Sequence, residues 1–336
     1  MTEKHKLSDR LVRYADLKPC RTAFIDTRSP GSDRKENFTV IGPGVAENPE
    51  QHVHIDIPHG FNIGGARQPP GCLNSQHSHL TNEVFVVHSG EWAFLSGVDA
   101  SDGKVVLAAG DVISLPTDVF RGFENVGDDT GYLYAILGGD DPGRVLWAPQ
   151  VFDLARDHGL MLMADGSLVD TAAGETPPPA VDPMPRTTDE QVSQHQVVDS
   201  DGLERIVIRT SDFRWTGDTE LARFDGVEEA ALLGPANPDE SLPEGNLGWN
   251  HEFVLRALRL ESGARVPNHQ RSEEEVLFVH SGSCTVSIDG EVLQLGIGDT
   301  LTTPIGAQRS FANKADKNCI VYVTRRHDLP QAPEFT

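Results

Sequence analysis

The chain has 336 residues and a mass of 36.6 kDa, room for about two domains at roughly 100–200 residues each. Hydrophobic residues make up 38% and charged ones 24%, which supplies apolar material for packed cores and excludes wholesale disorder. The 51 acidic residues against 28 basic ones leave −23 with histidine neutral, a balance repelled by phosphate backbones and anionic lipid, so neither nucleic acid nor a membrane is an expected partner.

No stretch approaches the ~18 apolar residues of a membrane span, and the start MTEKHKLSDR carries charges where a secretory segment needs an apolar run. Cys20, Cys72, Cys284 and Cys319 lie far apart without a CxxC pairing, so neither a disulfide framework nor a cysteine-rich zinc site is expected, and the expected location is cytoplasmic.

In chain order, residues 1–45 read as an N-terminal arm. HVHIDI (52–57), EVFVVHS (83–89), KVVLA (104–108) and LYAIL (133–137) then read as short strands bounded by Gly, Asp and Pro. PQVFDLARDHG (149–159) predicts a short helix stopped by Gly159, and LMLMADGSLV (160–169) a small hairpin turning at Asp165-Gly166. TAAGETPPPAVDPMPRTTDE is a Pro-rich, extended linker. VLRALRLE, EVLFVHS, CTVSID, EVLQL and IVYVTR supply a second set of strands, and Asp-Gly at 102–103 and 289–290 are hairpin signals that call for positive φ.

The two strand sets are copies. VFVVHSG at 84–90 returns as VLFVHSG at 276–282, an offset of 192 that also pairs His77 with His269 and Glu83 with Glu275. GDVISLP (110–116) returns as GDTLTTP (298–304), and RGFEN (121–125) as RSFAN (309–313), at an offset of 188. The four-residue difference falls at a hairpin tip, where length changes cost little. The expected division is therefore an arm at 1–45, a first barrel at 46–150, a helix, hairpin and linker at 151–195, and a second barrel at 196–330.

In the first copy His77 and His79 share a strand face, because side chains repeat with period two. A turn before Glu83 lets the next strand return and brings its carboxylate opposite the imidazoles. Two histidines and a carboxylate with open positions form the facial triad of non-haem Fe(II) oxygenases, and Mn, Ni or Zn could take the same ligands.

The glycine frame around these residues resembles the cupin family. Gly71, His77, His79, Glu83 and Gly90 match its first motif, and Gly110, Pro116 and Asn125 its second, while Asp118 replaces a glycine and Arg121 the histidine that normally supplies a fourth ligand. The second copy gives Gly263, His269, Arg271, Glu275 and Gly282, then Gly298, Pro304, Gly306, Arg309 and Asn313. The resemblance implies an all-β chain of two tandem double-stranded β-helix (jelly-roll) barrels joined by the short helix and Pro-rich linker. A guanidinium about 4 Å from a divalent ion is repelled by roughly 8 kcal/mol at an effective ε near 20. Arg121 must then turn away, pair with a carboxylate, or hold an anionic substrate as a catalytic group. His269, Arg271, Glu275 and Arg309 make a degenerate second site that reads as metal-free.

Of the other side chains, His88 and His280 recur before a Ser-Gly turn and read as structural. His52 and His54 are candidates to line the first pocket; Trp92, Phe94 and Phe123 are wall or core; Cys72 and Cys284 read as buried apolar groups. Within bicupins, length and the segment 138–160 resemble the large subunit of hydroquinone ring-cleaving dioxygenases. That resemblance implies one Fe(II), a small dihydroxy-aromatic substrate of hydroquinone or gentisate type, O₂, and a small cupin subunit as partner, with homodimer formation expected of cupins. A metal-dependent decarboxylase or isomerase, and a non-catalytic ligand-binding or structural bicupin, are the alternatives.

Overall fold

The computed structural model describes residues 6–336; Met1–His5, the start of the expected arm, lie outside the described residues. The chain divides into two compact units, one of residues 18–56 and 62–209, the other of residues up to Leu17, 57–61 and 210–336.

In the first unit a seven-stranded sheet runs, in spatial order, Val207–Ile208, Val112–Leu115, Glu83–Ser89, Gly131–Gly138, Phe61–Gln68, Glu36–Ile41, Val53–Ile55. A five-stranded sheet runs Leu146–Trp147, Leu73–Ser78, Arg121–Asn125, Trp92–Ser96, Gly103–Leu107. Alternating side chains from these strands build the core, among them Phe85, Trp92, Phe94, Leu107, Phe123 and Leu133. Trp92 and Phe94 are thus core. So is Phe123, whose ring meets Phe85, Phe94 and Trp92 at 5.2–5.9 Å and also reaches the central cavity.

The unit is larger than the expected 46–150. Residues 18–56 belong to this unit and contribute the strand Glu36–Ile41, which is hydrogen-bonded to Phe61–Gln68, so the later part of the expected arm is part of the barrel unit. At the other end Leu203, from the helix Ser200–Glu204, is buried in the core, and Val207–Ile208 pairs with Val112–Ile113. The division therefore falls at 209/210, where the sequence placed it at 195/196.

The helix is Pro149–Asp157, with Gly159 beyond it at φ +81°, and Leu160–Leu162 pairs with Leu168–Asp170 around Asp165-Gly166. The Pro-rich linker is tied to this hairpin through Ala164 N–H to the Asp182 carbonyl and Met184 N–H to the Leu162 carbonyl. Of the two Asp-Gly hairpin signals, Asp289-Gly290 has positive φ at both residues (49° and 89°), whereas Gly103 begins a strand. In that longer first-copy loop Gly97 and Ala100 carry the positive φ instead. Gly103 is needed for a different reason: a Cβ there would stand 2.5 Å from the Asp199 backbone.

The second unit repeats the plan. Its six-stranded sheet runs Leu11–Val12, Thr300–Thr303, Glu275–Ser281, Cys319–Arg326, Phe253–Leu260, Val227–Leu233, and its five-stranded sheet Glu291–Leu295, Cys284–Ile288, Arg309–Ala312, Arg265–Gln270, Glu334–Phe335. Leu11 and Val12 pair with Leu301 and Thr300, so the earliest described residues close an edge of this barrel, as the C-terminal Glu334–Phe335 closes another beside His269. Cys284 and Cys319 are buried in its core. His88 and His280 each pack edge-on against a tyrosine, Tyr132 at 5.9 Å and Tyr322 at 5.5 Å, the shared packing role their recurrence suggested.

Candidate metal centre

Strand Leu73–Ser78 lies between Arg121–Asn125 and Leu146–Trp147, and its register sets His77 opposite Arg121 on one side and Trp147 on the other. Two residues on, His79 keeps the same face, and after a four-residue step Glu83 opens the returning strand. One ligand atom from each of His77, His79 and Glu83 lies within 4.8 Å of the others, and all three residues are buried. Among the described residues this is the group of His, Cys, Asp or Glu side chains placed to hold a metal ion.

Two of the donors, His77 and Glu83, are oriented from behind. His77 Nδ1 is 2.7 Å from the Ser75 carbonyl, which only accepts, so Nδ1 carries the proton and Nε2 keeps its lone pair. Ser75 N–H is in turn held at 3.1 Å by Asp26 Oδ2, whose other oxygen is ion-paired with the fully buried Lys35. Trp147 packs its ring 5.3 Å from that of His77 and donates through Nε1 to Glu47 Oε1 at 2.6 Å. His79 Nε2 stands 3.7 Å from Glu83 Oε1, and its Nδ1 is buried without a hydrogen-bond partner. Burial, with Arg121 nearby, lowers His77 to about 3 and His79 well below its ordinary value, so both imidazoles are neutral, the form a metal requires. Two neutral nitrogens, one carboxylate and an orphaned buried imidazole nitrogen fit a divalent ion of the Mn–Zn series.

Of the three courses open to Arg121 in the sequence, the structure takes the second. NH2 donates to Glu83 Oε2 at 2.8 Å, and NH1 reaches the His77 and Val119 carbonyls at 3.4 Å. Burial pushes the Glu83 carboxyl up and the Arg121 guanidinium down; each opposes the other's shift. Glu83 Oε1 remains turned toward His79 and the cavity.

That cavity, about 70 Å³, is bordered by the three donors and by largely apolar side chains, including Phe24, Phe38, Phe85, Phe123, Leu137 and Trp147. Arg121 is not among the residues lining it. Gly44, Val45, Ala46 and Val145 also line a second chamber of about 260 Å³, so the two cavities share a wall there. His52 and His54 border neither chamber; His54 bonds the Thr39 carbonyl and the Lys18 amide instead. Sequence reading also missed Glu47, whose carboxyl, enclosed by the Ile25 amide and Trp147, is raised by burial to about 8. No local motif marks it.

In the second unit the equivalent place is filled by charge. Arg271 Nε and Arg309 NH1 flank Glu275 at 3.3 Å each. Against burial, these two guanidiniums hold Glu275 down at about 2, while burial takes His269 to about 4. Glu240 accepts from Arg271 at 2.5 Å, from Arg325 at 2.6 Å and from Arg256. Arg256 also pairs with Glu229, and Arg325 with Glu273. Glu229, Glu240, Glu273, Arg256 and Arg325 escaped the sequence reading because they come from separate strands and loops with no common spacing.

The cupin domain pattern matches residues 66–137 and 257–325. No curated protein matches the sequence. Among solved structures, the oxalate decarboxylase of Lactobacillus farciminis in its formate complex is similar at 10% identity and a TM-score of 0.57, over 98% of this chain and 89% of that one. The oxalate decarboxylase of Bacillus subtilis at pH 4.6 gives 11% and 0.55, over 98% and 79%. AerE from Microcystis aeruginosa gives 12% and 0.51, over 94% and 98%. At such identities the likeness is one of fold. It supports a bicupin and does not extend to the hydroquinone-dioxygenase subtype.

Proposed function

Since the chain is a bicupin of two tandem cupin barrels, with a metal-type donor set in the first, we propose that this barrel is a metal-dependent decarboxylase of a small organic acid. The observation that carries the reading is the convergence of His77, His79 and Glu83 on an apolar cavity while Arg121 holds the outer oxygen of Glu83.

A divalent ion bound there supplies Lewis acidity to a coordinated carboxylate. The protein's share is orientation and field. Ser75 fixes the His77 tautomer and Arg121 fixes the Glu83 rotamer, so the donor face is set before substrate arrives. The apolar walls keep water away and strengthen every charge interaction inside. Decarboxylation breaks the bond between the carboxyl carbon and its neighbour, releases CO₂, leaves the electron pair on the neighbouring carbon, and takes up one proton from water. It is redox-neutral and needs no oxidant.

Ring-cleaving dioxygenation by a non-haem Fe(II) site is the second reading. It is favoured by the three-donor set, which leaves room for both O₂ and a bidentate substrate. Metal-replete protein assayed for CO₂ release and O₂ uptake over small carboxylic acids and hydroquinones separates the two. CO₂ release without oxygen supports the decarboxylase; oxygen consumption with a hydroquinone or gentisate supports the dioxygenase; silence across both panels favours a binding role. Homodimer formation and a small cupin subunit stand as proposals that a mass measurement in solution tests.

A further inference from the structure

Two properties of the cavity restrict what can occupy it. The first is charge. In the commoner four-ligand arrangement three neutral imidazoles and one carboxylate leave a divalent site at about +1. Here a guanidinium takes the place of one imidazole. With Glu83 and Arg121 both ionised, the enclosed set rises to about +2, and its members are too deeply buried for solvent to screen them. Arg121 satisfies one oxygen of Glu83 without adding negative charge, so the excess is left for the ligand. The second property is surface. Phe38, Phe85, Phe123, Ala135, Leu137 and Trp147 face the same space and offer a ligand no free hydrogen bond, the Trp147 indole being given to Glu47; besides the three donors, the polar side chains at its border are Asn37, Thr39 and Asn74.

Resting on the metal-site reading above, we infer that the substrate is a compact dicarboxylate dianion carrying a short apolar substituent, of the alkylmalonate type. An unsubstituted dianion such as oxalate answers the charge and leaves the aromatic wall uncovered. A simple fatty acid covers the wall and leaves one positive charge unanswered. An alkylmalonate does both, and a volume near 70 Å³ limits its side chain to a few carbons. Its decarboxylation breaks one C–C bond, releases CO₂, places the electron pair on the central carbon as the enolate of the remaining carboxylate, and adds one proton from water to give the fatty acid.

The test is a binding experiment on the whole chain loaded with Co(II), read by the visible absorption of cobalt. Ethylmalonate, malonate, oxalate and butyrate are titrated at constant ionic strength, with cobalt retention checked after each. Ethylmalonate is expected to bind at least tenfold tighter than malonate or oxalate, and at least tenfold tighter than butyrate. Malonate or oxalate binding as well as ethylmalonate overturns the apolar substituent. Butyrate binding as well as ethylmalonate overturns the dianion. No spectral response to any of the four overturns the inference outright while the metal site stands. Failure to take up cobalt at all removes the metal-site reading and this one with it. In Ala135→Leu, which fills the wall, the preference for ethylmalonate over malonate should fall to less than threefold with malonate affinity kept; an unchanged preference counts against the inference. If that variant does not fold, the four-ligand comparison on the unaltered chain decides.

Discussion

Arg121 and His79 divide the two oxygens of Glu83: the guanidinium donates to Oε2 at 2.8 Å, and the imidazole Nε2 faces Oε1 at 3.7 Å. The arginine therefore works behind the donor set and leaves its inner side open. Two consequences follow for substitution at this position. Arg121→Ala strands a buried carboxylate and should cost about 3–5 kcal/mol in denaturant unfolding of the metal-free protein. Arg121→His removes the repelling charge and offers a fourth nitrogen, so its affinity for Zn(II) in a chelator competition should rise at least tenfold. Weaker binding by the histidine variant would show that Arg121 supports the site in some other way.

Acid should weaken the metal-free fold well before its carboxylates titrate. Burial depresses His77 to about 3 and His269 and His280 to about 4, against ~6.5 in an unfolded chain. Below pH 6.5 the unfolded state binds protons that the native state refuses, so stability is full above that pH and falls continuously as the folded values are approached. From pH 7.5 to 5 the loss is about 2 kcal/mol per histidine, measurable by urea unfolding at the two pH values. A flat profile over that range would contradict neutral burial.

Glu47 should act at the other end of the scale. Its folded value near 8 lies above that of an unfolded carboxyl, so its contribution is complete below about 4.5 and is lost as pH rises through 8. Glu47→Gln starts from lower stability, because its amide NH₂ meets the N–H of Ile25 or Trp147, yet it should lose about 1–2 kcal/mol less than the native chain between pH 6 and 9. Equal slopes would place the Glu47 carboxyl in ordinary ionised form.

The second barrel offers a control that leaves the metal alone. Glu240 accepts from Arg256, Arg271 and Arg325. Glu240→Ala leaves three buried guanidiniums short of a partner and should cost about 3–5 kcal/mol, with metal content per folded chain unchanged. A fall in metal content would mean that the second barrel contributes to holding the ion.

What the sequence disclosed and what it hid follow one rule. His77, His79 and Glu83 are close in the chain, and a two-residue period with a single turn is enough to bring them together. The repeat made both barrels visible, since the same glycines and strands recur at offsets of 192 and 188. Features that depend on distant chain were hidden. The Glu229–Glu275 cluster draws partners from six separate segments, and Glu47 matters only because Trp147, a hundred residues on, turns its indole toward it. The boundary shifted to 209/210 because Leu203 and Val207–Ile208 are recruited by a core and a strand edge from a distant stretch of chain, the strand Val112–Leu115 lying some ninety positions earlier. Arg121 could be seen to occupy a ligand's position; which oxygen of Glu83 it takes is set by the fold.

The most direct test is metal analysis of the native chain beside His77→Ala and Glu83→Ala. About one divalent ion per chain is expected in the native protein and none retained after dialysis in either variant, with both variants folded by circular dichroism. One ion per chain retained in both variants, or none taken up by native protein offered Fe(II), Mn(II) and Zn(II), would contradict that expectation.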